Sequence, residues 1–456
     1  MKKKHERILS AGELALILAV FCICLYGAAT LQVDRCPDEP GRGLVSTWIY
    51  ENNALPTGNE PETIMGGWGF SYAARPYLSA MIAAFFMKAA SLFSTSGRAL
   101  VLASRMGSVL SITACCAFCL LLGHTLFRKR GSAAVMAVFV CFLPQVLFLG
   151  MYQNNDSLSL AAVSMMMYYL CHGRETHFAV KDCAGLAVAV SFCLLSYYSV
   201  YGWILVCLAA FVTAVILDSE RQNRLRLLIG RGGLILGICL ILAGWFFARN
   251  ALLHQGDLLG IRTELATRAV MRDEGETLFE YNNQFQRELT FAEFAQYRDW
   301  EWFVMSFRSV IGVFAYMDLY LPMPRYGLYY FFFLLALIAG TAVFFRRRPE
   351  KKESLFFWTS LLSSVFTIAF SFLHSYYRDY QPQGRYIITL TLFLGYLLAC
   401  LLDRTEILAE SRSPGKKDQL SEAGIVRKSL HPAAAFIAFW ILLFVRSWLD
   451  TMIYMQ

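Results

Sequence analysis

Apolar runs of about 20 residues recur along this chain from residue 8 onward. That is the length at which an α-helix crosses the hydrocarbon core of a bilayer. A strand-like alternation of apolar and polar residues is absent, which argues against a membrane β-barrel. Composition agrees. Of 456 residues, 57% are hydrophobic and only 16% charged, where a soluble domain carries about a quarter charged. The fold class that follows is an all-α polytopic membrane protein.

Residues 1–7, Met-Lys-Lys-Lys-His-Glu-Arg, precede an apolar stretch at about 8–31. A signal peptide is the competing reading, but the stretch is too long for an h-region and no small-residue cleavage site follows. We read it as a retained first span. Twelve of the thirteen cysteines lie in or beside apolar runs, the exception being Cys36. This excludes a disulfide framework, and no CxxC pair outside the apolar runs suggests a metal knuckle.

The net charge of +8 resembles a nucleic-acid signal but follows from topology. Lys and Arg in short loops mark the cytoplasmic side. Basic clusters lie at 2–7, 128–130, 174–181, 221–231, 346–352 and 404–428, whereas segments 32–72 and 252–325 lack lysine and lean acidic. The spacing predicts about eleven crossings of the cytoplasmic membrane with the N-terminus inside. Parity then requires the weakest stretch, 73–96, to lie along the outer interface. The expected organisation is a single membrane domain over 1–456, with a first outer loop at 32–98, a long outer loop at 252–325 and a cytoplasmic loop at 403–430.

Three polar segments then fall on the outer face. In Pro37-Asp38-Glu39-Pro40 two adjacent carboxylates follow the first span, suited to binding a divalent cation or to general-base work; a solvated acidic loop is the alternative. In Asn154-Asn155-Asp156-Ser157 an acid stands at a span mouth, or Asn155 or Asp156 simply caps the helix beginning near Ser157. In Gln383-Gly384-Arg385-Tyr386 an arginine at a helix start suits a phosphate, or belongs to an interfacial tyrosine belt. Arg105, near the outer end of its span, needs a partner or a route to the interface. His254 and Asp257 read as surface residues. Nucleotide-binding glycine motifs are absent.

This arrangement resembles the GT-C superfamily of membrane glycosyltransferases, which includes protein O-mannosyltransferases, the aminoarabinose transferase of lipid A and the catalytic subunit of oligosaccharyltransferase. The matching elements are Asp38-Glu39 outside the first span, the 73–96 helix, Asp156 in the next outer loop and the long 252–325 segment. A large C-terminal soluble domain and a WWD-type sequon motif are missing, which argues against an oligosaccharyltransferase. The resemblance implies a polyprenyl-phosphate sugar as donor, an envelope glycan, lipid or protein as acceptor, and inverting transfer at the outer face. It implies Asp38 as general base, Glu39 in support and Asp156 as second acid, with Mg or Mn held by Asp38 and Asp156 if a metal is used. Arg385 would clamp the donor phosphate, with Arg105 and Tyr386 beside it and Asn155, Arg42 and Gln383 in support. A flippase of lipid-linked saccharides, or a polysaccharide polymerase or ligase, is the rival function. The spans are nearly free of charge at their centres, which disfavours a polar transport path.

Overall fold

The computed structural model describes residues 9–66, 69–217, 223–273, 289–411, 432–452 and 454. The basic clusters at 2–7 and most of 404–428 lie outside these residues, as do 274–288 of the long outer loop. Helix α1 (Ala11–Thr30) opens on a capping box between Ser10 and Glu13. Short helices α2 (Glu39–Asn52) and α3 (Leu78–Ser91) flank a two-stranded ribbon, β1 (Ile64–Met65) with β2 (Phe70–Ser71). Then come α4 (Gly97–Leu126), α5 (Arg130–Cys141), α6 (Pro144–Leu149), α7 (Asp156–Glu175), α8 (Val180–Ser196) and α9 (Tyr201–Ile216). A 30-residue helix α10 (Arg224–Leu253) carries a π-helical turn at Leu240–Gly244. The segment after it folds into α11 (Ile261–Asp273) and α12 (Phe291–Gly312), then a ribbon of β3 (Val313–Phe314) and β4 (Leu319–Tyr320). Helices α13 (Met323–Arg346), α14 (Lys351–Tyr377), α15 (Leu390–Ser411) and α16 (Pro432–Met452) complete the chain.

Seven of the described helices are long and apolar enough to cross a membrane: α1, α4, α9 with the turn before it, α10, α13, α14 and α16. Their outward faces carry exposed Leu, Ile, Val and Phe, such as Leu236, Ile241, Ile338 and Val365, the surface that hydrocarbon requires. The expected 183–217 hairpin is present, turning at Tyr198–Val200 between α8 and α9. The stretch expected to cross at 132–151 is broken: Pro144 starts a separate helix, since proline has no N–H to continue α5. Likewise 73–96 is helical only over Leu78–Ser91, about 21 Å at 1.5 Å per residue, too short to span. Arg75 lies before that helix instead of on it. The expected cytoplasmic loop also starts late, because α15 continues to Ser411.

Buried charge gathers at two opposite ends of the bundle. At one end Glu13 of α1 meets His124 of α4 (2.8 Å) and Arg130 of α5 (2.9 Å), while Arg347 pairs with Glu353 and Lys352 with Glu175. At the other end lie Asp38, Glu39, Arg105, Asp156 and Arg385. Between them the packing is apolar and close: a Cβ on Gly123 would stand 2.6 Å from the Ala133 Cα, so only glycine lets α4 and α5 approach there. If the Glu13 end is cytoplasmic, Glu62→Cys reacts with an impermeant thiol reagent on intact cells, whereas Lys351→Cys reacts only after permeabilisation. Labelling of position 351 from outside would reverse the orientation.

Candidate active site

Asp38 stands before the first turn of α2 with a left-handed backbone (φ 61°, ψ −6°), a conformation Asp tolerates better than most residues. An aspartate at this position normally caps its own helix. This one does not: its side chain reaches Arg385 instead, 347 positions away in sequence, with Arg385 Nη2 at 2.7 Å from Asp38 Oδ2. Arg42, one turn along α2, lies 3.8 Å from the same oxygen. Burial alone would push the Asp38 carboxyl up, but Arg385, Arg42 and Arg75 outweigh it and hold the group below its ordinary range.

Gly384 places the arginine. A Cβ there would lie 2.1 Å from the Val310 nitrogen and 2.5 Å from the Ser306 carbonyl, so the backbone runs directly against α12. Ser309 Oγ accepts the Gly384 N–H. Arg385 is 6% exposed. Its Nη2 also donates to Tyr386 Oη (2.9 Å), which in turn donates to Gln381 Oε1 (2.6 Å). Gln383 donates to the same oxygen at 3.1 Å. The Arg385 Nε and Nη1, by contrast, have no hydrogen-bond partner although they are buried. Unpaired buried donors on a charged side chain are rare in folded proteins.

Asp156 is the first residue of α7 and 1% exposed, and neither carboxylate oxygen has a hydrogen-bond partner. The expected cap is corrected here. Neither Asn155 nor Asp156 caps α7; Asn154 Oδ1 accepts the Ser157 N–H at 2.8 Å. Asn155 is a cross-brace, accepting from Ser79 Oγ and donating to the Ser196 carbonyl (2.9 Å). Asp156 is within electrostatic reach of Arg385, Arg42 and Asp38 but lines neither of the cavities described below.

Glu39 and Arg105 are brought together, away from the cavities. All five N–H groups of Arg105 are taken. Nε and Nη2 donate to the two Glu39 oxygens (2.9 and 2.5 Å), Nη1 to the carbonyls of Ala28 and Leu31 (2.9 and 2.7 Å), and Nη2 also to Cys36 Sγ (3.8 Å). Glu39 additionally accepts the Gln153 N–H at 2.8 Å. An arginine so engaged has no donor left for a phosphate.

Two cavities flank this site, and Asp38 and Arg385 line the larger. One, of about 450 Å³, is lined by Asp38, Tyr152, Gln381, Gln383, Arg385 and the β3–β4 turn at Tyr316. The other, of about 330 Å³ and mostly apolar, is lined by Tyr198, Leu259, Leu265, Phe370, His374 and Tyr386. A cleft of about 60 Å³ joins them past Asp38, Tyr72, Arg75, Tyr197 and Tyr386. Arg75 and Tyr152 escaped the sequence reading. Arg75 forms a two-bond pair with Glu264 of α11 (2.6 Å each). Tyr152 Oη is buried and unpaired beside Arg385, and burial pushes its phenol up, so it remains a proton donor.

The carboxylates do not fit a divalent-cation site. Asp38 is occupied by arginine, Asp156 lies off the cavity wall, and among the described residues no three His, Cys, Asp or Glu ligand atoms converge here. Arg385 and Arg42 already supply the cationic charge.

The sequence matches the family described as "Predicted membrane protein (DUF2142)" over residues 65–394. The chain belongs to this family. No curated protein matches it. Among solved structures it is similar to ArnT from Cupriavidus metallidurans bound to undecaprenyl phosphate, at TM-score 0.54 and 14% identity over 96% of this chain and 70% of ArnT. It is also similar to the Archaeoglobus fulgidus oligosaccharyltransferase in its apo form, at TM-score 0.52 and 12% identity, over 96% of this chain but only 56% of that one. The fold of this DUF2142 chain is that of the GT-C membrane glycosyltransferases, as the resemblance implied.

In this family member the Glu39–Arg105 brace should behave as structure. Arg105→Ala leaves a buried carboxylate without its partner, an imbalance of about 3–5 kcal/mol. The unfolding midpoint in detergent should fall markedly, and Glu39→Ala combined with Arg105→Ala should recover part of the loss. An unchanged midpoint would show that the pair does not hold the fold.

Proposed function

We propose that this chain transfers a sugar from a polyprenyl-phosphate donor to an acceptor hydroxyl, with Asp38 as general base and Arg385 as the phosphate clamp, at the outer face of the cytoplasmic membrane. The observation that carries the reading is the buried Arg385 with Nε and Nη1 unpaired, fixed against Asp38 in the wall of the larger cavity. A guanidinium in a cavity wall, with donors not taken by the protein, suits an oxyanion. The fold likeness to ArnT, solved with undecaprenyl phosphate, points to the same donor class.

The mostly apolar cavity takes the isoprenoid chain, whose phosphate end reaches along the joining cleft into the larger, more polar cavity, where the acceptor also enters. Arg385 and the neutral phenol of Tyr152 receive the phosphate oxygens. The acceptor hydroxyl loses its proton to Asp38, and its oxygen bonds to the anomeric carbon from the face opposite the phosphate. The bond from that carbon to the phosphate oxygen breaks, and the departing charge falls on groups already arranged for it. The configuration inverts. Asp38 suits this task because its arginines keep it ionised, and proton transfer of this kind contributes about 10²–10⁴ in rate. Asp156 acts from behind the wall, as a counter-charge that holds Arg385 and Arg42 in place.

The test is incubation of purified protein with a panel of radiolabelled polyprenyl-phosphate sugars and cell-envelope extracts. Transfer of label with release of polyprenyl phosphate supports the reading, and inertness toward the whole panel refutes it. Asp38→Asn should lower kcat by about 10²–10⁴ with donor binding retained. Arg385→Lys keeps the charge but loses the fork, so donor KM should rise roughly 10- to 100-fold, as expected for losing one charged hydrogen bond. Excess EDTA should leave turnover unchanged; a loss restored by Mg or Mn would reinstate a metal at these carboxylates.

A further inference from the structure

Away from this site, three cysteine side chains converge inside the bundle. Cys115 and Cys119 are four residues apart on α4 and so share one of its faces. Cys141 is the last residue of α5, the helix packed along α4. The three Sγ atoms lie within 4.8 Å of one another, and those of Cys115 and Cys119 are 4.0 Å apart. All three residues are fully buried. We propose that Cys115, Cys119 and Cys141 bind one soft monovalent d¹⁰ ion of the Cu(I) class.

The geometry fits a trigonal three-sulfur site. The 4.0 Å edge between Cys115 and Cys119 is that of a triangle whose centre lies about 2.3 Å from each corner, a metal–sulfur bond length, and Cys141, within 4.8 Å of both, stands at the third corner. The chemistry narrows the ion. The ligand set is sulfur alone, which favours Cu(I) over the oxygen-seeking Mg and Ca. Structural Zn takes four protein ligands, and the converging group described here has three. The charge balance is favourable too. One Cu(I) held by one thiolate and two neutral thiols, entering as one thiol proton leaves, keeps the site neutral, as apolar surroundings demand, and soft neutral sulfur is a donor that Cu(I) accepts. Metal–sulfur bonds across α4 and α5 would lock together the helix that carries Arg105 and the one that leads through α6 to Tyr152 and Asp156.

The full chain, purified in detergent under anaerobic reducing conditions, is titrated with Cu(I) against a colorimetric Cu(I) chelator. One equivalent should bind, with sulfur-only ligation at about 2.3 Å by X-ray absorption. Cys115→Ser and Cys141→Ser should each weaken binding by about 100-fold or more, beyond what losing an outer-shell partner costs. Cys207→Ala, on α9 and outside the trio, should leave binding intact. Monodisperse gel filtration and an unchanged unfolding midpoint without metal show that each variant is folded. Absence of stoichiometric binding, an equal loss in Cys207→Ala, displacement of Cu(I) by Zn(II), or a Cys115–Cys141 disulfide under these conditions would each overturn the proposal.

Discussion

The buried pair of Glu39 and Arg105 is the interaction on which the site-bearing end of this protein rests. It joins four segments at one point: the last carbonyls of α1, the start of α2, the first third of α4 and the loop before α7. A charge pair removed from water is stable only when its remaining donors and acceptors are met. Here every guanidinium N–H has a partner. Asp38 precedes Glu39 and Asp156 follows Gln153 by three residues, so fixing this pair fixes both carboxylates relative to α4. Arg385 then arrives from a separate direction, along α12, through the close approach of Gly384.

Separation of charge between the two ends follows from what the hydrocarbon core excludes. Polar groups midway along a span need partners inside the bundle, and the ion pairs of this chain are concentrated where helices end. The Glu13 end looks like a fastening layer, in which α1, α4 and α5 share one carboxylate and α13 and α14 are linked through Arg347 and Glu353. The Asp38 end differs in kind. Several of its buried polar atoms are unpaired: Arg385 Nε and Nη1, Arg42 Nε, Tyr152 Oη and both oxygens of Asp156.

The sequence made the class, most of the helix order and the three polar segments legible, because hydropathy and charge are properties of composition over about 20 residues. Asp38, Asp156 and Arg385 stood out as charges at the edges of apolar runs. What it concealed was pairing. Arg105 carries the same charge whether its donors are free or all engaged, so a brace looked like a phosphate ligand. Arg75 fell within an alanine-rich stretch and was assigned to a helix that begins three residues after it. Tyr152 was one tyrosine among 23; only three-dimensional burial marks it. The capping error at α7 has a similar origin, since three consecutive oxygen-bearing side chains can each serve, and backbone direction decides that Asn154 does.

In the proposed transferase, the unpaired donors of Arg385 would set how this end of the molecule discriminates among ligands. In open solvent a guanidinium gives up water when it takes a phosphate, and the exchange nearly cancels. Here the water was already excluded when the chain folded, so the desolvation cost belongs to folding and not to binding. An arriving oxyanion therefore gains almost the full strength of each new bond, in surroundings where such bonds are strong. A neutral hydroxyl presented to the same atoms gains much less. Selectivity for charge over mere hydrogen-bonding capacity would thus be written into the fold before any substrate reaches it.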